Sequence, residues 1–180
     1  MDIALTTWIN GLSTRFAAVD GMMVFCANWG LHIIIAATIA LWWMRTDRLS
    51  ARHGCIVAAL AFLASLMVNQ IILLFIHRPR PYVSGLTHLL ILPNPDWSFP
   101  SDHATAVAAI CMALALRRIG WPLVFIIPFA LLVCFARVFV GVHFASDVLG
   151  GIVIGACTAY CVHRFYRPAL WPFRHLVAFL

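Results

Sequence analysis

Five long apolar stretches, at about residues 20–44, 54–76, 101–117, 121–140 and 145–163, set the terms for any fold this chain can adopt. About 20 apolar residues in helical form cross the hydrocarbon layer of a bilayer, and the third stretch meets that length only if short or partly sunk. Inside lipid every backbone N–H and C=O must find a partner within the chain, which leaves helices as the natural solution for runs of this length. With 180 residues, 64% of them hydrophobic and 10% charged, the chain holds far more apolar surface than a soluble core of its size would hide. The predicted fold class is all-α: a polytopic membrane helical bundle of five transmembrane spans, forming a single domain over residues 1–180. Residues 1–18 are amphipathic and predict an N-terminal interfacial helix, with Trp8 and Phe16 as anchors. The opening MDIALTTWIN has an acid where a secretory signal would have a basic start, so no cleavage is expected. Gly151 and Gly155 predict a close helix contact in the last span.

All 12 basic residues are Arg and all 6 acids are Asp. Because the arginines collect at the ends of apolar runs, the net charge of +6 is read as a signal of membrane orientation, with no nucleic-acid partner expected. One set of connections holds Arg45, Arg48, Arg52, Arg117, Arg118, Arg164, Arg167 and Arg174; the other holds Arg15, Arg78, Arg80 and Arg137. The richer set is predicted to face the cytoplasm. Three polar clusters then share the outer face: the opening stretch, IHRPRPY at 76–82 and FPSDHAT at 99–105. The six cysteines lie inside apolar stretches without pairing or metal spacing and are read as inert.

Within RVFVGVHFASD, at 137–147, His143 and Asp147 stand four apart. On a helix starting near His143 they share a face, and Asp147 would accept the proton of one imidazole nitrogen, leaving the other as a free lone pair. That arrangement makes either a nucleophile or a structural cap for the span. A metal site is poorly supplied by this set of residues, with no Glu and no Cys on that side. In SFPSDHATAVAA, Pro100, Ser101 and Asp102 start a helix whose exposed N–H groups attract anions. Plain capping would need Ser101 or Asp102 but does not ask for His103, whereas a proton donor to a leaving group would. In HRPRPY, Arg78 and Arg80 are held extended by proline and match phosphate oxygens. Singly, each arginine reads as a side chain reaching for lipid headgroups; beside two histidines, a carboxylate and a helix start, the phosphate reading prevails. Together the parts suit phosphoryl transfer through a covalent phosphohistidine.

These residues resemble the type 2 phosphatidic acid phosphatase superfamily, whose pattern is Lys-x6-Arg-Pro, then Pro-Ser-Gly-His, then Ser-Arg-x5-His-x3-Asp. The third element reads Ala136-Arg137-x5-His143-x3-Asp147 here, and the second Pro100-Ser101-Asp102-His103. The first is matched by Arg80-Pro81, but Leu73 stands where the lysine belongs, and Arg78, Asn69 or Gln70 are the candidates to substitute for it. The resemblance spans about residues 69–150. It implies that His143 attacks phosphorus, Asp147 orients it and His103 protonates the leaving oxygen, while Arg80, Ser101 and Arg137 hold the phosphoryl oxygens. It also implies hydrolysis without metal or other cofactor.

Asn-Gln before an Arg-Pro-Arg-Pro run, PSDH, and small size look like the bacterial undecaprenyl-pyrophosphate phosphatase branch. That branch acts at the outer face of the inner membrane, so the partners expected are a polyprenyl pyrophosphate substrate and membrane lipids. Phosphatidylglycerol phosphate, phosphatidic acid and phosphotransfer to lipid A are alternatives within the same chemistry. A small transporter would instead place polar residues at mid-depth of several spans, where His32, Asn69 and Gln70 are about the only candidates.

Overall fold

Among the residues described, 1–44 and 47–166, the computed structural model forms six α-helices, one short 3-10 turn and no strand. The helices are α1 (Asp2–Asn10), α2 (Ala17–Ala40), α3 (Arg48–Leu73), α4 (Asp102–Leu116), α5 (Leu123–Phe139) and α6 (Ala145–Phe165). The expected all-helical bundle with an N-terminal helix is therefore what forms. The helix counterparts of the first, second and fifth stretches are long and apolar enough to cross a membrane; α4 and α5, at 15 and 17 residues, are shorter. The chain is a multi-pass membrane protein.

Local chemistry sets the helix boundaries. The Asp47 carboxylate accepts the N–H of Ser50 and caps α3, whose end is followed by the proline-interrupted stretch HRPRP. Pro122 stands immediately before α5, where its missing N–H costs nothing. Asp147, third residue of α6, accepts the N–H of Phe144 at 2.8 Å, which is the return half of a capping box. The phenyl ring of Phe144 has no acceptor for the other half.

Helix α4 is the centre of the bundle, and Ala104, Thr105, Ala106, Val107, Ala109, Ile110, Ala113 and Leu114 are all buried. It lies hard against α6 at the two glycines anticipated for close packing. A Cβ on Gly155 would stand 2.2 Å from the Thr105 carbonyl oxygen, and one on Gly151 would stand 2.7 Å from that of Ser101. Large apolar side chains such as Met67, Leu131, Leu149 and Val153 point outward, as a lipid solvent requires.

Contacts at the helix ends sort the connections into two groups. The Ser50 hydroxyl donates to the Arg117 carbonyl and His53 Nδ1 meets the Tyr166 hydroxyl, so the start of α3 joins the ends of α4 and α6. At the other end, Asn69 meets Asp102, the Ser101 N–H donates to the Asp147 carbonyl, and Asn10 bonds the Phe139 carbonyl. Arg15, Arg78, Arg80 and Arg137 belong to this second end; Arg48, Arg52, Arg117, Arg118 and Arg164 lie toward the first. Arg45, Arg167 and Arg174 fall outside the described residues.

Candidate active site

At the second end lies a hollow of about 160 Å³ lined by Gln70, Leu73, Arg80, Asn94, Asp96, Trp97, Pro100, Asp102, His103, Arg137 and His143. Five elements build it: the last turn of α3, the 74–101 segment, the first turn of α4, the last turn of α5, and the α5–α6 connection. Two imidazoles and two guanidinium groups therefore share one small polar space. A larger groove among Val107, Met112, Leu131 and Ile152 is walled by apolar side chains.

His143 sits just ahead of α6 because the chain reverses at Gly141, whose φ of +84° suits glycine. A Cβ there would also collide with the His88 carbonyl, 2.3 Å away. The His143 ring is 2% exposed. Its Nδ1 donates to the carbonyl oxygen of Ser98 at 2.8 Å, since a carbonyl can only accept, and this fixes Nε2 as the unprotonated nitrogen. Nη1 of Arg80 lies 3.3 Å from that nitrogen and also donates to the Val142 carbonyl at 3.0 Å. Burial drives the His143 pKa down to about 4; Asp147 opposes this, and Arg137 and Arg80 add to it. At neutral pH the imidazole is uncharged, with a lone pair facing guanidinium.

Asp147 is placed differently from expectation. Its Oδ2 is 3.8 Å from His143 Nδ1, too long for a hydrogen bond, because the Ser98 carbonyl takes that proton instead. The carboxylate accepts the Ser98 hydroxyl at 2.5 Å, the Phe144 N–H at 2.8 Å and Arg78 Nη1 at 2.7 Å. Ser98 thus mediates between the two: its carbonyl holds the histidine and its hydroxyl holds the aspartate. Nothing in the sequence singled out Ser98, which opens the SFPSDHATAVAA stretch but precedes the Pro100-Ser101-Asp102-His103 element.

Arg78, expected among the phosphate ligands, does not line the hollow. Its guanidinium is shared between Asp147 and Asp2, with Nη2 2.6 Å from the Asp2 carboxylate, and lies 3.8 Å over the Phe144 ring. Asn69 is also turned away, donating to the Asp102 carboxylate at 2.7 Å and to the Thr105 hydroxyl at 3.0 Å. Of the candidates to replace the family lysine, Gln70 alone reaches the hollow, one turn below Leu73, which occupies the lysine position and lines the space as well. Ser101 caps α4 by position but makes no capping bond with its side chain; its hydroxyl oxygen is buried without a hydrogen-bond partner. Asp102 lines the hollow beside His103. Arg137 donates through Nη1 to the Ala27 carbonyl at 3.0 Å, which anchors it against α2. Among the described residues, no three His, Cys, Asp or Glu side chains converge as a metal site would need.

The sequence model of the PAP2 superfamily matches residues 54–171, a range that contains every side chain lining the hollow. The chain belongs to that superfamily. Among curated proteins, it is similar to the undecaprenyl-diphosphatase BcrC of Bacillus subtilis, with 36% identity over 94% of this chain and 86% of that one. Among solved structures, LpxE of Aquifex aeolicus superposes with a TM-score of 0.73, at 23% identity over 91% of this chain and 95% of the other. A PAP2-type phosphatidylglycerolphosphate phosphatase of Bacillus subtilis gives 0.69, at 22% identity over 96% and 87%. At these identities the two structures speak for the PAP2 fold alone.

Proposed function

We propose that this PAP2 protein hydrolyses undecaprenyl pyrophosphate to undecaprenyl phosphate and inorganic phosphate, through a phosphohistidine, at the outer face of the bacterial inner membrane. The observation that carries this reading is the pair of imidazoles, His103 and His143, opening on one phosphate-sized space with Arg80 and Arg137. Similarity to undecaprenyl-diphosphatase BcrC over nearly the whole chain supports the substrate class. The gathering of the site at the arginine-poor end supports the outer face.

In the proposed sequence, Nε2 of neutral His143 attacks the terminal phosphorus. The Nδ1–H bond to the Ser98 carbonyl keeps the tautomer that leaves Nε2 free. Arg80 and Arg137 neutralise the equatorial oxygens, and the unpaired hydroxyl of Ser101 and the N–H groups at the start of α4 add donors beside them. The P–O bond to the lipid phosphate breaks as His103 gives that oxygen a proton. Water then attacks the phosphohistidine, His103 takes its proton, and Nε2 is released with inorganic phosphate. A recess of about 420 Å³ shares Arg80, Asn94, Asp96 and Trp97 with the hollow and adds Tyr82, Val83 and three prolines. It offers room for the lipid-linked phosphate and the start of its tail.

The test is phosphate release from undecaprenyl pyrophosphate by purified protein in detergent with excess chelator. Release by the wild type and its loss in His143→Ala is the expected result. Wild-type release by His143→Ala would overturn the mechanism, and no release from this lipid alongside release from phosphatidylglycerol phosphate would overturn the substrate.

A further inference from the structure

Outside the hollow, the densest polar contacts at this end of the bundle come from α1. Asp2, Thr6 and Asn10 stand four apart and form one face of this helix, while Ile3, Leu5 and Trp8 are exposed. Thr6 is fully buried and Asn10 is 4% exposed, which is uncommon for polar side chains on an end helix. Asp2 and Thr6 bind the start of α6, just after His143, and Asn10 ties the end of α5 to His88 of the 74–101 segment. The Asp2 carboxylate accepts the Ser146 N–H at 2.9 Å and the Ser146 hydroxyl at 2.6 Å. The Thr6 hydroxyl accepts the Ala145 N–H at 3.0 Å. Asn10 accepts the His88 N–H at 2.8 Å and donates to the His88 and Phe139 carbonyls at 2.9 and 2.8 Å.

A helix start leaves four N–H groups without intrahelical partners. In α6 the phenylalanine at the cap position cannot serve them, so Asp2 and Thr6 of α1 cap α6 from outside, at Ser146 and Ala145. The same Asp2 closes a chain of charges. Its carboxylate pairs with Arg78 at 2.6 Å, Arg78 pairs with Asp147 at 2.7 Å, and Asp147 meets His143 through Ser98.

We propose that α1 is a positioning element of the active site, and that Asp2 acts on the nucleophile His143 by sharing Arg78 with Asp147. The physical content is a division of charge. One guanidinium serves two carboxylates, so Asp147 keeps part of its negative field directed at His143. When Asp2 loses its charge, Arg78 serves Asp147 alone, and the positive charge that develops on the ring as it takes the phosphoryl group is less supported. Removing Arg78 has the opposite effect on the ring. The other titratable and charged groups around His143 are Arg80 and Asp96 from the 74–101 segment, Arg137 from α5, and His103 and Asp102 from α4, and neither substitution replaces them.

This inference rests on His143 being the nucleophile. Its test is steady-state kinetics of Asp2→Asn, Asp2→Glu and Arg78→Gln across pH, with His143→Ala in the same assay. Asp2→Asn retains an acceptor for the Ser146 N–H and is expected to lower kcat by roughly three- to tenfold at unchanged KM, the span of a shift of up to one pKa unit. Its acid limb in kcat/KM moves to lower pH, that of Arg78→Gln moves to higher pH, and Asp2→Glu recovers part of kcat. Limbs that stay in place, or that move in the same direction in both variants, would overturn the inference, since a purely structural loss does not separate them by sign. An inactive His143→Ala beside a wild-type Asp2→Asn refutes the role of α1 alone; an active His143→Ala refutes the nucleophile beneath it. Should Asp2→Asn fail to fold, the direction of the Arg78→Gln limb decides.

Discussion

Replacing Gly155 by alanine tests whether the α4–α6 contact sets the distance between the two histidines. A Cβ at this position would stand 2.2 Å from the carbonyl oxygen of Thr105 and 3.0 Å from the Ala109 nitrogen, and both are backbone atoms that no rotamer change can move aside. Ordinary contact begins at 3.4 Å, so the two helices must part by about 1.2 Å at this level. Overpacking of this kind costs roughly 1–3 kcal/mol in stability. The larger consequence is catalytic: α4 carries His103 and α6 follows His143, and a misplacement near 1 Å between reacting groups costs on the order of 100-fold in rate. The assay is kcat for phosphate release together with the unfolding midpoint in detergent. Gly21→Ala is the control, because a Cβ there meets nothing within 4 Å and the helix should gain slightly. A Gly155→Ala protein with wild-type kcat and a lowered midpoint would show that the α4–α6 spacing does not set the histidine geometry.

Two further outcomes follow from the site. Ser98→Ala keeps the carbonyl that holds His143 but removes the 2.5 Å hydrogen bond to Asp147; a hydrogen bond to a charged group contributes about 1.5–3 kcal/mol, so kcat should fall roughly 10- to 100-fold. A loss below threefold in the same release assay would remove Ser98 from the positioning network. His143 is held well below the ordinary histidine value, at about 4 against 6.5. The unfolded chain therefore binds a proton that the folded one refuses, so folded stability is intact above pH 6.5 and declines as pH falls toward 4. The decline attributable to this ring approaches about 3 kcal/mol. Unfolding midpoints between pH 7.5 and 4.5 should fall more steeply for the wild type than for His143→Gln, and parallel slopes would refute the assignment.

The helices were legible because their signal is collective: a run of apolar residues has few structural options in lipid, and the observed boundaries lie within a turn or so of the apolar stretches except at α3. There the helix begins at Arg48, since Asp47 caps it and the arginines continue it past the apolar run. That His103 and His143 lie at the same end of the bundle was legible, since one sits just inside the start of a helix and the other just ahead of the next span that starts from that end. Arg78 could not be told from Arg80 in sequence, because two arginines flanking a proline look alike. Which of them faces the hollow depends on Asp2, which lies 76 residues away along the chain. Ser98 was invisible because half of its role belongs to a carbonyl that any residue could supply. The lysine question came down to direction: Asn69 and Gln70 are neighbours on a helix, so only one can face the hollow, and Asn69 is held by Asp102 and Thr105.

The shortness of α4 explains why these residues meet where they do. Its 15 residues rise about 22 Å, against about 30 Å of hydrocarbon. The Ser50–Arg117 contact holds its far end level with the start of α3, so the shortfall lies at the end that bears His103. Helix α3 runs one turn past Asn69, and Gln70 and Leu73 on that turn become a wall above the start of α4. The 74–101 segment and α1 close the remaining sides with hydrogen bonds to the turn before α6. A recess sunk below the helix ends needs cationic side chains in a setting of low dielectric, which is costly unless an anion fills it. Arg80 and Arg137 are about 5% and 6% exposed, and their guanidinium groups meet the carbonyl oxygens of Asp96, Val142 and Ala27 and, for Arg80, His143 Nε2, with no carboxylate among these partners. The asymmetry with Arg78, which holds two carboxylates, supports the proposal that Arg80 and Arg137 meet the phosphate while Arg78 builds the frame around it.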